Sequence, residues 1–395
     1  MLVLLGLVSL FSFALSLSVN LHAARDALTR DDGHTSFPAP RQAWGDKAHT
    51  TRQNTHDPTI LLHGDTFYLY TIDDHIAIYS APDLAGPWEY QGSVLEADSI
   101  IEKGGTTRKR PWAPTVIQSQ MNGYFYCYYS VSRTGSRDSA VGVATSATPG
   151  AGNWSDFGAV VQTGSGDGSD VAPYTRSNAI DPSIVTLNDG QDAYLLYGSY
   201  WTGIYQVRLD EVWVRPSDTK SPEFYQLAFL PNKATASIGG LNPELEATRL
   251  KGDPTGPHPI EGSYMSQNSG YYYLWFSHGT CCGFTDVKSL LTDALENAYS
   301  IRVGRSTSPH GGFVDKDGNS LLEGGGSIVY GTNTQRVNGQ EYQIYAPGGQ
   351  GVITVGDTDY LFYHYLNTSI GVDFQDALLG FNPLKYVDGW PEVQA

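Results

Sequence analysis

Three acidic residues occupy the same place in a repeated sequence pattern, each at the start of a stretch typical of a β-strand. They are Asp57 and Asp181, each followed by proline, and Glu261, which is followed by glycine. Carboxyl groups from separate segments can divide acid–base work: an ionised carboxylate activates water while a carboxylic acid protonates a leaving oxygen, with roughly 6.5–9.5 Å between them. A third carboxylate nearby raises the pKa of the acid and keeps it protonated near neutral pH. The trio therefore suits hydrolysis of a glycosidic bond.

Asp-Pro pairs also have a purely structural use, because the carboxylate caps backbone amides while proline fixes φ. Asp253-Pro254 and Pro82-Asp83 are interpreted in this way. The shared repeat position of Asp57, Asp181 and Glu261 favours a functional role for those three.

The repeat itself predicts the architecture. Five times, a polar or acidic residue near proline or glycine precedes a strand, a turn and a Tyr/Phe-rich second strand; those second strands are Thr66–Tyr70, Tyr124–Tyr129, Ala193–Tyr197, Tyr271–Phe276 and Tyr360–Tyr365. Turn glycines between apolar runs indicate hairpins. Five antiparallel units predict an all-β, five-bladed β-propeller with the active site at the mouth of its central channel, where equivalent strand starts converge. A β-sandwich is the rival, but it would not require one acidic motif to recur.

Composition excludes several classes of partner. The 395 residues are 40% hydrophobic and 16% charged, so a large core can form, and the net charge is −17. Such a surface repels phosphates and anionic lipids, so neither nucleic acid nor a membrane is expected as a partner. We expect a monomer.

The N-terminus predicts export. The apolar run of residues 1–18 fits a secretory signal peptide, assigned to residues 1–23, followed by a lead-in over 24–49 and the catalytic propeller over 50–395. We therefore expect a secreted, extracellular protein, with glycosylation sequons at Asn153 and Asn367.

The chain has three cysteines, Cys127, Cys281 and Cys282, too few for a disulfide scaffold. A vicinal Cys281–Cys282 bond, a bond from one of them to Cys127, and free buried thiols all remain open.

Several motifs together resemble glycoside hydrolase family 43, and within it the endo-1,5-α-L-arabinanases. The matching stretches are His56-Asp57-Pro58, Trp112-Ala113-Pro114, Asn178-Ala179-Ile180-Asp181-Pro182, Tyr197-Gly198-Ser199-Tyr200-Trp201-Thr202-Gly203-Ile204, Ile260-Glu261-Gly262, Ser277-His278-Gly279-Thr280-Cys281-Cys282 and Asp388-Gly389-Trp390-Pro391. The carboxylates specify only the wider group, whereas the Gly-Ser-aromatic-Trp stretch and the paired cysteines point to arabinanases.

The resemblance implies cleavage of internal α-1,5 bonds in arabinan or arabino-oligosaccharides with inversion at the anomeric carbon. It implies that Asp57 is the general base, Glu261 the general acid, and Asp181 the residue that tunes and orients the acid. It also implies a substrate-binding set, of which the aromatic members could equally serve as core packing: Trp112, Asn178, Ser199, Tyr200 and Trp201.

One departure from the family concerns a metal. The resemblance would place a metal-holding histidine after Pro347-Gly348, but glycine and then Gln350 follow here. Gln350 could hydrogen-bond the site or offer an oxygen ligand. His364 and His278 are the remaining candidate ligands, although histidines of this kind are more often hydrogen-bonded core residues. We expect no required cofactor, and a structural calcium in the channel stays open.

Other functions remain open at this point. An exo-acting α-L-arabinofuranosidase or a β-xylosidase would use the same fold, because loop paths decide whether the cleft is open at both ends. A non-catalytic sugar-binding propeller is a third alternative, but sugar binding alone would not require three carboxylates.

Overall fold

Short antiparallel strands joined by tight turns account for nearly all of the regular structure. The computed structural model of the protein describes residues 37–42, 54–231, 258–284, 298–337 and 340–395. The predicted signal peptide lies outside these residues, as does most of the predicted lead-in.

Four sheets follow one another along the chain, each of four strands in sequence order. Blades 1 and 2 contain β2 (Thr59–His63), β3 (Thr66–Thr71), β4 (Ala77–Ala81), β5 (Glu89–Ser93), β6 (Trp112–Gln118), β7 (Phe125–Val131), β8 (Ser139–Ser146) and β9 (Ser155–Thr163). Blades 3 and 4 contain β10 (Ser183–Leu187), β11 (Asp192–Tyr197), β12 (Ile204–Arg208), β13 (Phe224–Ala228), β14 (Ile260–Asn268), β15 (Tyr271–His278), β16 (Ser300–Ser306) and β17 (Ser327–Tyr330).

The fifth blade joins the two ends of the described chain. It contains β1 (Arg41–Gln42), β18 (Asn333–Val337), β19 (Gln340–Val355), β20 (Thr358–Asn367), β21 (Leu378–Val387) and β22 (Trp390–Val393). Strand β1 pairs with β21, so one strand of the predicted lead-in completes this blade. The 3₁₀ turns are Gly105–Arg108, Leu321–Glu323 and Phe374–Asp376.

The first strand of each of the four regular blades and β19 of the fifth blade surround the centre of the propeller. Strands β2, β6, β10, β14 and β19 contact one another in a closed ring, which confirms the predicted five-bladed propeller. Side chains link neighbours around that ring: Thr59 Oγ1 donates to the carbonyl of Pro114, and Thr115 Oγ1 to that of Pro182, each at 2.7 Å.

The core consists of layers between adjacent blades, which explains the aromatic second strands. Side chains alternate across a strand, and β7 is buried along its whole length. Tyr126 and Tyr128 face the cluster shared with blade 3, whereas Cys127 and Tyr129 face the one shared with blade 1. Because neighbouring blades cover both faces of this blade, the side chains on both faces of β7 are buried. No helix among the described residues is both long and apolar enough to cross a membrane.

Candidate active site

The same backbone conformation recurs at or just before the central strand of four of the five blades. Asp57, Ala113, Asp181 and Ala346 all precede proline and all have positive φ, with values of 46°, 43°, 57° and 48°. In blade 4 the positive φ falls on Gly262, at 60°. The two alanines adopt this unusual conformation with no carboxylate to cap the turn. The turn therefore does not require aspartate, and the structural interpretation of the Asp-Pro pairs does not account for Asp57 and Asp181.

The three carboxylates line one cavity of about 310 Å³. All five predicted substrate-binding residues line it too: Trp112, Asn178, Ser199, Tyr200 and Trp201. A pocket of this volume, lined by both acidic and aromatic side chains, is suited to bind a sugar.

Asp57 sits between two histidines. Its Oδ2 lies 3.2 Å from His56 Nδ1 and its Oδ1 lies 3.3 Å from His364 Nδ1, while its backbone N–H donates to His364 Nδ1 at 3.1 Å. Burial acts to raise the pKa of Asp57, but the attraction of His56 prevails and holds it well below its usual range. Asp57 is therefore ionised at neutral pH, as a general base must be.

Asp181 has the opposite environment. Burial, and then the negative charges of Glu261 and Asp57, raise the pKa of Asp181 well above its usual range. Only the backbone N–H of Gly262, which donates to Oδ2 at 3.2 Å, opposes this shift. Asp181 consequently retains a proton more readily than an ordinary aspartate, since neighbouring carboxylates resist ionising together.

Glu261 begins β14 and is 8% exposed. Both carboxyl oxygens accept hydrogen bonds: Oε2 from the hydroxyl of Ser199 and Oε1 from that of Tyr299. The ladder between β14 and β15 shifts register between Glu261 and Tyr264, so a bulge separates the catalytic candidate from the regular part of the strand.

The predicted substrate-binding residues divide into two kinds. Ser199 and Asn178 are buried and engaged within the protein, because the Asn178 amide accepts from Ser139 Oγ at 2.7 Å and donates to the Ser199 carbonyl at 3.4 Å. Trp112 is half-buried and lines the cavity. Tyr200 and Trp201 are each 8% exposed and have positive φ, which turns the loop after β11 towards the cavity.

Sequence reasoning gave no role to several residues that line the cavity. Among them are Tyr299, His56, Phe374 and residues 132–136 of the β7–β8 loop. His56 stacks on His364 at 3.9 Å and on Phe374 at 4.1 Å between ring centroids. The adjacency of His56 to Asp57 was a usable signal, whereas Tyr299 carried none because it is 38 residues from its partner.

Of the two candidate metal-binding histidines, His364 lies in a group of possible ligands and His278 does not. His56, Asp57 and His364 have potential ligand atoms within 4.8 Å of one another, and His278 does not belong to this group. Burial and then Arg302 lower the pKa of His278 to about 3. Calcium prefers six to eight oxygen ligands, roughly, whereas this group offers one carboxylate and two imidazoles.

Other contacts also oppose calcium among the described residues. The His364 Nδ1 already accepts the Asp57 N–H. Gln350 spans blades 4 and 5, accepting from Ser277 Oγ at 2.8 Å and donating to the Gly262 carbonyl at 2.7 Å. A Cβ at Gly349, where the resemblance would place histidine, would lie 2.4 Å from Asp57 Oδ1 and 2.7 Å from His364 Nδ1. These residues do not fit a calcium site.

The structure shows how the three cysteines pair and how exposed the two sequon asparagines are. Cys281 and Cys282 form a disulfide in the cavity wall, and Cys127 is free and buried. Asn153 is exposed, whereas Asn367 is 7% exposed and accepts hydrogen bonds from Ser369.

The fold and the acidic cavity together define a sugar-cleaving propeller, and the sequence agrees. Residues 50–391 match the model of glycosyl hydrolases family 43. The chain belongs to this family, which confirms the resemblance.

Two related proteins and one solved structure are similar to this chain over most of their length. One is arabinan endo-1,5-alpha-L-arabinosidase B of Emericella nidulans, 47% identical over 352 residues that cover 87% of this chain and 84% of that protein. Another, the probable arabinan endo-1,5-alpha-L-arabinosidase D of the same organism, is 43% identical and covers 98% of this chain and 90% of its own. The structure of Cellvibrio cellulosa alpha-L-arabinanase complexed with arabinohexaose has a TM-score of 0.68 at 26% identity and covers 87% of this chain and 96% of that one.

Proposed function

We propose that this protein hydrolyses internal α-1,5-L-arabinofuranosidic bonds of arabinan by a single displacement with inversion. The observation that carries the proposal is the split environment of the acidic cluster: the pKa of Asp57 is held low, whereas the pKa of Asp181 is raised by burial and by the neighbouring Glu261. Groups whose surroundings separate their protonation states in this way are suited to act as base and acid. The names of the relatives support arabinan as the substrate.

In the proposed reaction, Asp57 removes a proton from a water molecule as its oxygen attacks the anomeric carbon. Glu261 gives its proton to the departing O5 of the neighbouring arabinose, and the glycosidic bond breaks. Asp181 keeps that proton on the cluster until the substrate arrives, because its own ionisation would place two negative charges side by side. The products are two shorter chains, one with a new reducing end.

The aromatic wall supports the substrate assignment. Trp112 is half-buried and lines the cavity, where an arabinofuranose ring can stack on it, and Tyr200 and Trp201 line the same cavity. No part of the proposed chemistry requires a cofactor.

The experiment is incubation of purified protein with linear arabinan, with product sizes followed over time. Internal cleavage predicts a fast fall in chain length and a mixture of oligosaccharides before arabinose accumulates. Arabinose alone from the earliest times would indicate the exo-acting alternative. Binding of arabinan without any new reducing ends, by a protein whose Asp57→Asn variant binds equally well, would indicate the non-catalytic propeller.

We also propose that the protein is secreted as a monomer after removal of residues 1–23, with a glycan on Asn153. The exposed side chain of Asn153 supports that site, and the engaged amide of Asn367 makes it the poorer acceptor. Mass spectrometry of protein from the native host tests this: an intact Met1, or sugar on Asn367 alone, would contradict it.

A further inference from the structure

Tyr299 is a buried residue of the cavity wall whose hydroxyl donates to Oε1 of Glu261. We infer that Tyr299 is a positioning residue for the general acid, which selects the carboxyl oxygen that carries the transferable proton. The inference rests on the proposed function, because it assigns Tyr299 a part in the same proton transfer.

The ring of Tyr299 is held from several sides. It is 3% exposed, and its backbone N–H donates to the carbonyl of Thr280 at 3.0 Å. It packs in one cluster with Phe284 and Tyr345. A Cβ at Gly348 would lie 2.2 Å from Tyr299 Cδ1, so the fifth blade provides room for this ring only because it has glycine there. A side chain so confined presents its hydroxyl at one point.

The hydroxyl is a permanent donor. Burial, and then the charges of Glu261, Asp181 and Asp57, raise the pKa of Tyr299 well above its usual range. The ring of His364, whose centroid is 6.0 Å away, is the other titratable group beside it, and its pKa is lowered to about 4 by burial and then by His56. Tyr299 thus stays neutral across the pH range in which a glycosidase of this kind works.

A fixed donor on one oxygen distinguishes the two oxygens of Glu261. Oε1 must act as the acceptor, so the transferable proton belongs on Oε2. Oε2 contacts Ser199, whose hydroxyl can rotate to accept or donate as the proton comes and goes. Once the proton has left, the Tyr299 hydroxyl stabilises the carboxylate that forms. Tyr299 therefore contributes both the orientation of the acid and part of the driving force for proton transfer.

The test compares Tyr299→Phe with wild type on linear arabinan and on a 4-nitrophenyl α-1,5-arabino-oligosaccharide. Loss of a hydrogen bond to a charged group predicts a roughly 10- to 100-fold fall in kcat on arabinan. The nitrophenolate leaving group needs little protonation, so its kcat should fall by no more than about threefold. KM should stay near the wild-type value on both substrates. The alkaline limb of the kcat profile on arabinan should move to higher pH, because the ionised carboxylate loses a donor.

Tyr345→Phe is the matched control. Tyr345 belongs to the same buried cluster, and its hydroxyl has no hydrogen-bond partner among the described residues. This variant should keep the wild-type rates and pH profile. Tyr299→Phe could be less stable than the control. The ratio of its rate on arabinan to its rate on the nitrophenyl substrate still tests the positioning role, because a smaller folded fraction lowers both rates equally.

Two outcomes separate this inference from the proposed function. Wild-type protein that leaves arabinan intact overturns the proposed function and this inference with it. Active wild type, combined with a Tyr299→Phe variant that loses both activities equally and keeps its alkaline limb, overturns the positioning role alone and leaves packing as the only use of this residue.

Discussion

Asp57 and Asp181 begin equivalent strands in two blades, with the same positive φ and the same following proline, yet their surroundings drive them in opposite directions. Asp57 lies against His56 and His364, and its pKa falls. Asp181 lies against Glu261, with a single backbone N–H as a donor, and its pKa rises. The repeat thus supplies carboxylates of similar geometry, and the groups around each one decide which is held ionised and which retains a proton.

Removing the base should have the largest effect. Asp57→Asn keeps shape and tolerates positive φ, but cannot take a proton from water, so kcat should fall about 10⁴-fold. Water activation is needed whatever the leaving group, so arabinan and the nitrophenyl substrate should suffer alike. Steady-state rates measure this, with an unchanged melting curve as the control. A variant that spares the nitrophenyl substrate would mean that Asp57 is not the base.

Removing the acid should lower kcat much more on arabinan than on the nitrophenyl substrate. Glu261→Gln retains the size of the side chain but has no proton to give, so kcat on arabinan should fall about 10³-fold and the nitrophenyl rate much less. The same pair of assays measures it. Equal damage on both substrates would contradict the role of Glu261 as acid.

Asp181→Asn should have a smaller effect that depends on pH. The charge of Glu261 is one cause of the raised pKa of Asp181. Neighbouring carboxyl groups resist ionising together, and the amide removes one of the two possible anions. The acid is then deprotonated at lower pH, so the alkaline limb of kcat should shift downward by about one unit, with kcat reduced about tenfold at neutral pH. The shift is opposite in sign to that expected for Tyr299→Phe. An alkaline limb that stays in place would mean that Asp181 does not influence the proton of the acid.

Removal of metal should have the smallest effect. The two imidazoles and single carboxylate around Asp57 do not suit calcium, so dialysis against EDTA should leave the rate on arabinan and the melting temperature unchanged. Activity that disappears with EDTA and returns with calcium would show that residues beyond this group complete a site.

The sequence predicted the parts of this arrangement that repeat. Tyr/Phe-rich strands, turn glycines and acidic residues at one repeat position are local signals, and they sufficed for the five blades and for the meeting of Asp57, Asp181 and Glu261. The closing strand Arg41–Gln42 was not recognised, because two residues carry no periodicity.

What escaped prediction depends on contacts between distant segments. Tyr299, the residue directly before β16, reaches Glu261 across 38 residues, and His364 reaches Asp57 across 307 residues. Neither contact leaves a spacing pattern. Ser199 illustrates the same limit: its motif was recognised, but only the structure reveals that its hydroxyl is directed at Glu261.

The central claim, that Asp57 activates water instead of forming a bond to the sugar, is tested most directly by proton NMR of the first product. Early spectra of an arabino-oligosaccharide digest, taken before mutarotation, record the configuration of the new reducing end. Single displacement on an α bond predicts that the β anomer appears first. First appearance of the α anomer, or a sugar covalently trapped on Asp57, would contradict the account.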